Sequence, residues 1–177
     1  MKPKLVLLVL TLQTAWLLGT VALQEHALAT GKVILLETQR VDPRDLLRGD
    51  YLILNYKISA VPGKLFSPPV PNDLAPGTKI YVALAPGTNR FYEVTRASTN
   101  RLVPSLDEIL LIGKSDSSWW NTNSVSVTYG IENYFVAENT GNPVGKLTVQ
   151  AAVPTSGRAK IKQVFLDGKP YEEAMKR

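Results

Sequence analysis

The 177-residue chain contains no cysteine and one histidine, His26. Without thiols it has no disulfides, no thiolate zinc ligands and no cysteine nucleophile. One imidazole cannot form a histidine metal cluster, and the place of His26, alone just after a long apolar run, speaks against a Ser-His triad. Formal charge is missing from one long stretch: Leu5 to Leu23, LVLLVLTLQTAWLLGTVAL, has none in nineteen residues. Elsewhere the basic residues are spread along the chain, which speaks against a nucleic-acid footprint. Before residue 31 the basic and acidic side chains are Lys2, Lys4 and Glu25, so the net charge of +5 becomes +4 over residues 31–177. There is no repeat, no low-complexity tract and no sign of a second domain. A hydrophobic share of 45% is enough for one domain with a real core.

As a helix rising about 1.5 Å per residue, Leu5–Leu23 spans roughly 28 Å, close to the hydrocarbon thickness of a bilayer. The expected organisation is a cytoplasmic amino terminus at residues 1–4, a transmembrane anchor at 5–23, a linker at 24–30 and an extracytoplasmic domain at 31–177. Lys2 and Lys4 on one side of the run, against Glu25 on the other, set that orientation. Thr11, Gln13 and Thr14 are mild polar interruptions that suit either a neighbouring helix or a lone anchor. ALA at Ala27–Ala29 has the small-x-small form of a signal cleavage site, so cleavage before Thr30 is the competing arrangement. The apolar run exceeds the ~7–15-residue core of a secretory signal, which favours a retained anchor.

Beyond the anchor the pattern is of short strands separated by turn residues, and the expected fold is mainly β (a β-rich α+β chain): one compact antiparallel domain with one or two short helices. GKVILLETQ (Gly31–Gln39) and YLILNYKIS (Tyr51–Ser59) read as strands. Asp42-Pro43, with Asp45 at the third helical position and Gly49 at the C-cap, reads as a helical turn between them. The proline-rich stretch Ala60–Gly77 reads as a loop laid over the core. TKIYVALA and RFYEVTRAS around PGTN form one expected hairpin, KLTVQAAV and RAKIKQVFL around PTSG another, and EILLIGKS and SVSVTY are two further strands. In GIENYFVAENTG, Ile131, Tyr134 and Phe135 recur at helical spacing before Gly141 and Pro143, which predicts a short helix.

GDYLILNY, Gly49–Tyr56, resembles the signature of the GDYXXLXY protein family. VDPRDLLRGDY before it and YGIENYFV at Tyr129–Val136 are similar to that family's other recurring segments. The resemblance covers essentially the whole region after the anchor. It implies a membrane-anchored bacterial protein whose relatives are often encoded beside, or joined to, multi-span membrane proteins, and it carries no reaction with it. RGDYLIL after a single anchor is also similar to the β-strand box of type I signal peptidases. Those enzymes use a serine soon after the anchor with a lysine base, whereas QEHALATGK offers Thr30 and no serine.

Strand alternation puts Leu52, Leu54, Tyr56 and Ile58 on one face and Tyr51, Ile53, Asn55 and Lys57 on the other, with Leu54 and Tyr56 facing the core. Asp50 can then pair with Arg44, Arg48 or backbone N–H groups as part of a tight corner, the arrangement the residue types favour. The alternative makes Asp50 and Tyr51 a binding or acid–base site completed by Tyr129 and Glu132. Asp42, Asp45 and Asp50 do not read as a calcium site, because Arg44 and Arg48 interleave them. Trp119 and Trp120 suit a membrane interface, a partner's pocket or their own core. Lys160, Lys162 and Lys169 read as the solvated face or edge of the last hairpin. No catalytic residue, cofactor or metal is assigned. The expected role is that of a membrane-anchored accessory or interaction protein docking to a membrane protein or envelope component. A membrane-tethered envelope hydrolase, or a small-molecule or lipid-binding module, is the alternative.

Overall fold

The computed structural model describes residues 3–39, 51–70, 74–116, 124–136 and 143–175. One long helix, α1 (Pro3–Thr30), precedes a β-rich domain. The strands described there are β1 (Lys32–Glu37), β2 (Tyr51–Ile53), β3 (Ala60–Pro62), β4 (Lys79–Pro86), β5 (Tyr92–Ser98), β6 (Ile109–Ser115), β7 (Ser124–Thr128), β8 (Asn133–Phe135), β9 (Leu147–Val153), β10 (Lys160–Leu166) and β11 (Lys169–Pro170). A one-turn helix, α2 (Tyr171–Ala174), follows β11. The strands form three antiparallel sheets: β1-β9-β10-β11, β3-β7-β6-β4-β5, and the ribbon β2-β8. The mainly β fold read from the turn spacing is the fold the chain adopts.

Helix α1 is apolar on every side and buries none of its residues. Leu12, Trp16, Leu17 and Leu23 all stand out into the surroundings. An all-round apolar helix that its own protein does not cover requires an apolar medium or another protein around it. Its length and composition are sufficient to cross a membrane. The helix also runs through residues 24–30, where a linker is expected. Gln24 to Thr30 contains no glycine or proline to end it.

Helix α1 stops at Gly31, whose N–H donates to the Ala27 carbonyl (3.0 Å). A Cβ on Gly31 would lie 2.7 Å from that oxygen and 3.0 Å from the Val153 nitrogen, so only glycine permits so close an approach of helix end and sheet. Lys32 then pairs directly with Val153 as β1 begins. The helix therefore enters the domain through a packed junction.

The two large sheets share one core. Leu36, Val149 and Val164 come from the four-stranded sheet, and Val82, Leu84, Leu111 and Val127 from the five-stranded one, all buried. The Ile112 N–H donates to the Gly157 carbonyl (2.8 Å), so the turn between β9 and β10 covers part of β6 that β7 leaves unpaired. In the segment after Tyr51 the burial alternates as the sequence pattern requires: Leu52, Leu54, Tyr56 and Ile58 are buried, whereas Asn55 and Lys57 are exposed.

Three local expectations are corrected. The strand expected over Tyr51–Ser59 ends at Ile53, because the segment changes partner: Gln39 N–H bonds to the Asn55 carbonyl and Tyr56 bridges to Thr38, after which Lys57–Ser59 forms a 3-10 turn. The loop expected over Ala60–Gly77 begins with an edge strand, β3, where Pro62 needs no ladder donor. The remainder packs on the core through buried Phe66 and partly buried Val70 and Leu74. The helix expected over Gly130–Gly141 contains β8 in its described part, for reasons that lie in the site itself.

One ionic cluster pins the connection from β5 to β6. The Arg96 Nε donates to Glu108 Oε1 (3.2 Å) and its Nη2 donates to Oε2. The Thr95 hydroxyl donates to Oε1 (2.7 Å) and the Ser105 N–H to Oε2 (2.9 Å). These donors, Arg96 foremost, hold the Glu108 carboxyl well below its ordinary 4.5, at about 2. A depressed carboxylate stabilises the fold above its unfolded pKa, and that contribution is lost as pH falls toward the folded value. Acid titration followed by circular dichroism will therefore show stability declining between about pH 4.5 and about 2, with a shallower slope in Glu108→Gln. Separately, Leu54→Ala will destabilise the domain by roughly 2–5 kcal/mol in denaturant melts, the range for truncating a fully buried leucine. A loss of only a few tenths would contradict its core position.

Candidate functional site

Tyr129, Gly130 and Glu132 form a turn between β7 and β8. Glu132 folds its carboxylate back so that Oε1 accepts the Tyr129 N–H and Oε2 the Gly130 N–H (2.8 Å). Gly130 holds φ at +80°, a left-handed conformation that interrupts any helix starting there. With the backbone turned in this way, Asn133–Phe135 meets β2 in the register Tyr51↔Phe135, Leu52↔Tyr134 and Ile53↔Asn133. Pairing across the chain thus overrides the helical spacing of Ile131 and Tyr134.

The same turn is tied to the segment after β2. The Leu54 N–H donates to the Glu132 carbonyl (2.6 Å), and the Tyr56 hydroxyl donates to the Ile131 carbonyl (2.6 Å). In return the Tyr129 hydroxyl donates to the Ile58 carbonyl (2.7 Å). Both phenols are buried, and burial, with the nearby Glu132 carboxylate second, pushes their pKa values up, so each stays a protonated donor. Tyr129 and Glu132 are therefore committed to holding the chain.

Above that turn lies a cleft of about 760 Å³. Gln24 and Leu28 of α1 form one wall, Lys79 of β4 and Lys114 of β6 another, and Arg158 with Lys160 a third, while Tyr129 and Glu132 border its floor. Lys160 Nζ donates to the Gln24 Oε1 (2.9 Å) and so links the last sheet to the helix end. Lys79 and Lys114 are directly opposed in the β4–β6 register, and both are exposed. Among the described residues no carboxylate pairs with Lys79, Lys114 or Arg158. Glu132, the acidic residue lining the cleft, spends both oxygens on backbone donors. Among the described residues no group of acidic or histidine side chains is arranged to hold a metal.

Of the residues singled out from the sequence, Tyr129, Glu132 and Lys160 reach the cleft. Tyr51 does not line it; it is half-buried on the ribbon, 6.2 Å from the ring of exposed Phe135. Asp50, Trp119 and Trp120 lie outside the described residues, as does the expected helical turn containing Asp42, Asp45, Arg44 and Arg48. Lys162 and Lys169 are exposed as expected, whereas Lys160 is half-buried and bonded to the helix. Lys79, Lys114 and Arg158 were not marked by any motif. The available signal was the antiparallel register of TKIYVALA and EILLIGKS, which sets the two lysines opposite each other.

A protein-family model described as GDYXXLXY protein matches residues 13–164, from within α1 to within β10. No curated protein and no solved structure gives a match. The reciprocal tyrosine bonds generate a specific expectation. Tyr56→Phe and Tyr129→Phe each leave a buried carbonyl without its donor, and each will lower stability by roughly 1–3 kcal/mol in chemical denaturation. Variants as stable as the parent would show that the hydroxyls are not holding the turn.

Proposed function

The chain belongs to the GDYXXLXY protein family, and from that premise we propose that it is a single-span membrane protein whose β-rich domain acts as an accessory or interaction subunit. Its amino terminus faces the cytoplasm, the domain stands on the periplasmic or luminal side, and it docks to a membrane protein or envelope component. The observation that carries this reading is the uncovered apolar surface of α1 from Leu5 to Leu23, where the only residue its own domain even partly covers is Thr20. Its 28 residues extend about 42 Å, of which the uncharged run accounts for roughly 28 Å. The hydroxyls of Thr11, Thr14 and Thr20 bond to the carbonyls of Leu8, Leu10 and Leu17 within the helix, so they impose little penalty in hydrocarbon. Lys4 before the run and Glu25 after it favour the inward amino terminus.

Two further features support this role. The Ala27–Ala29 segment is helical and abuts the sheet through Gly31, a poor substrate for cleavage compared with exposed extended chain. Tyr129 and Glu132 have their polar groups engaged by the backbone, which favours binding work over acid–base work at that turn. Exposed Phe135, packed against Tyr51 on the ribbon, offers an aromatic contact for a protein partner.

The test uses native membranes. The intact chain will resist alkaline carbonate extraction, retain the mass of its amino-terminal segment, and expose its domain to protease only from the extracytoplasmic side. A mature chain beginning at Thr30 would overturn the anchored reading. On native gels the detergent-extracted protein will migrate in an assembly larger than its own 19.4 kDa accounts for, and Phe135→Ala will shift it toward the free form while leaving its melting temperature unchanged. A parent protein that migrates alone would count against docking.

A further inference from the structure

We propose that the cleft beside α1 binds the phosphate-bearing headgroup of an anionic lipid in the leaflet from which the helix emerges. This rests on the anchored reading above and adds a ligand to it. The first ground is charge. Lys79, Lys114, Arg158 and Lys160 line the cleft against one carboxylate, and that carboxylate already accepts two backbone N–H groups. Lys79 and Lys114 are cross-strand neighbours, a like-charge pairing that works against the sheet unless an anion lies between or above them. Arginine adds a planar fork suited to phosphate oxygens, and lysines add point charges around it.

The second ground is height. Gln24 follows immediately on Leu23, the last residue of the uncharged run, and Leu28 lies about 6 Å farther along the helix. The headgroup layer on each face of a bilayer is roughly 5–7 Å thick. The segment that walls the cleft therefore occupies headgroup depth when Leu5–Leu23 occupies the hydrocarbon. The packed junction at Gly31 and the Lys160–Gln24 bond hold the cleft to that part of the helix.

The third ground is the mixed lining. Leu28, Ile112 and Ile161 stand beside the cations and are only partly buried. Apolar surface next to clustered positive charge suits a phosphate carrying acyl chains better than a fully hydrated ion. A cleft of about 760 Å³ accommodates such a headgroup.

The full chain reconstituted in nanodiscs provides the test, with phosphatidylcholine alone or with phosphatidylglycerol added. Native mass spectrometry reads which lipid stays bound, and melting temperature verifies the fold of each variant. Phosphatidylglycerol will be retained over phosphatidylcholine on the order of tenfold, the factor one charge-assisted contact supplies. Lys79→Gln combined with Lys114→Gln, or Arg158→Gln alone, will erase most of that preference. Lys162→Gln combined with Lys169→Gln, which removes the same charge outside the cleft, will leave it intact. Equal retention of the two lipids, or equal loss in the cleft and control variants, overturns the site. If inorganic phosphate alone displaces the bound phosphatidylglycerol and stabilises the protein equally in phosphatidylcholine discs, the ligand is a soluble anion and the lipid assignment falls. Alkaline extraction of the same preparations separates the two levels: an extractable chain refutes the anchor and the lipid site together, whereas an inserted chain without lipid preference refutes the site alone.

Discussion

The domain depends on a reciprocal tie between two segments far apart in the chain. Tyr56 reaches from the segment after β2 to the Ile131 carbonyl, and Tyr129 reaches back to the Ile58 carbonyl. Each bond satisfies a buried acceptor with a phenol that burial keeps protonated. Between them Leu54 donates to the Glu132 carbonyl, so the two segments lie locked in one register. Leu54 and Tyr56 can then enter the core while the ribbon β2–β8 forms alongside. Glu132 shapes the turn that makes the exchange geometrically feasible, since its carboxylate gathers the two N–H groups that the turn would otherwise leave unpaired.

From that fixed turn the character of the nearby surface follows. The carboxylate that lines the cleft is occupied by the backbone, and the cations around it keep their positive potential. Around it stand the end of α1, the adjacent strands β4 and β6, the ends of β7 and β8 that flank the turn, and the start of β10 with the turn before it. Gly31 allows the helix to abut β9 closely enough for Lys160 to reach Gln24. A flexible linker in place of this junction would uncouple the helix from the domain. The close approach instead makes the position of the cleft a consequence of where the helix sits.

Much of the architecture is legible along the chain. The uncharged run, the two hairpins around PGTN and PTSG, and the alternation from Leu52 to Ile58 all express contacts between residues near in sequence, where periodicity and turn chemistry are informative. Two misreadings share one cause, a pairing across the chain that outweighs the local pattern. The ribbon strand β8 looks helical because Ile131 and Tyr134 are three apart, but its conformation is decided by β2 and by the positive φ at Gly130. β3 hides in a proline-rich stretch because an edge strand tolerates Pro62. Residues 24–30, read as a linker, are helical, since they lack any residue that stops a helix.

By itself the sequence determined the family resemblance, the mainly β class, the apolar helix and the core face of the GDYLILNY segment. Each depends on consecutive residues or on a period of two along one strand. Only the tertiary structure decided that Tyr129 and Glu132 serve the backbone, that Tyr51 sits apart from them, and that Lys79, Lys114, Arg158 and Lys160 surround one cleft. The reason is physical: a cluster of like charges leaves no local trace, because sheet register and chain folding assemble it from three separate parts of the chain, with the helix end closing one side.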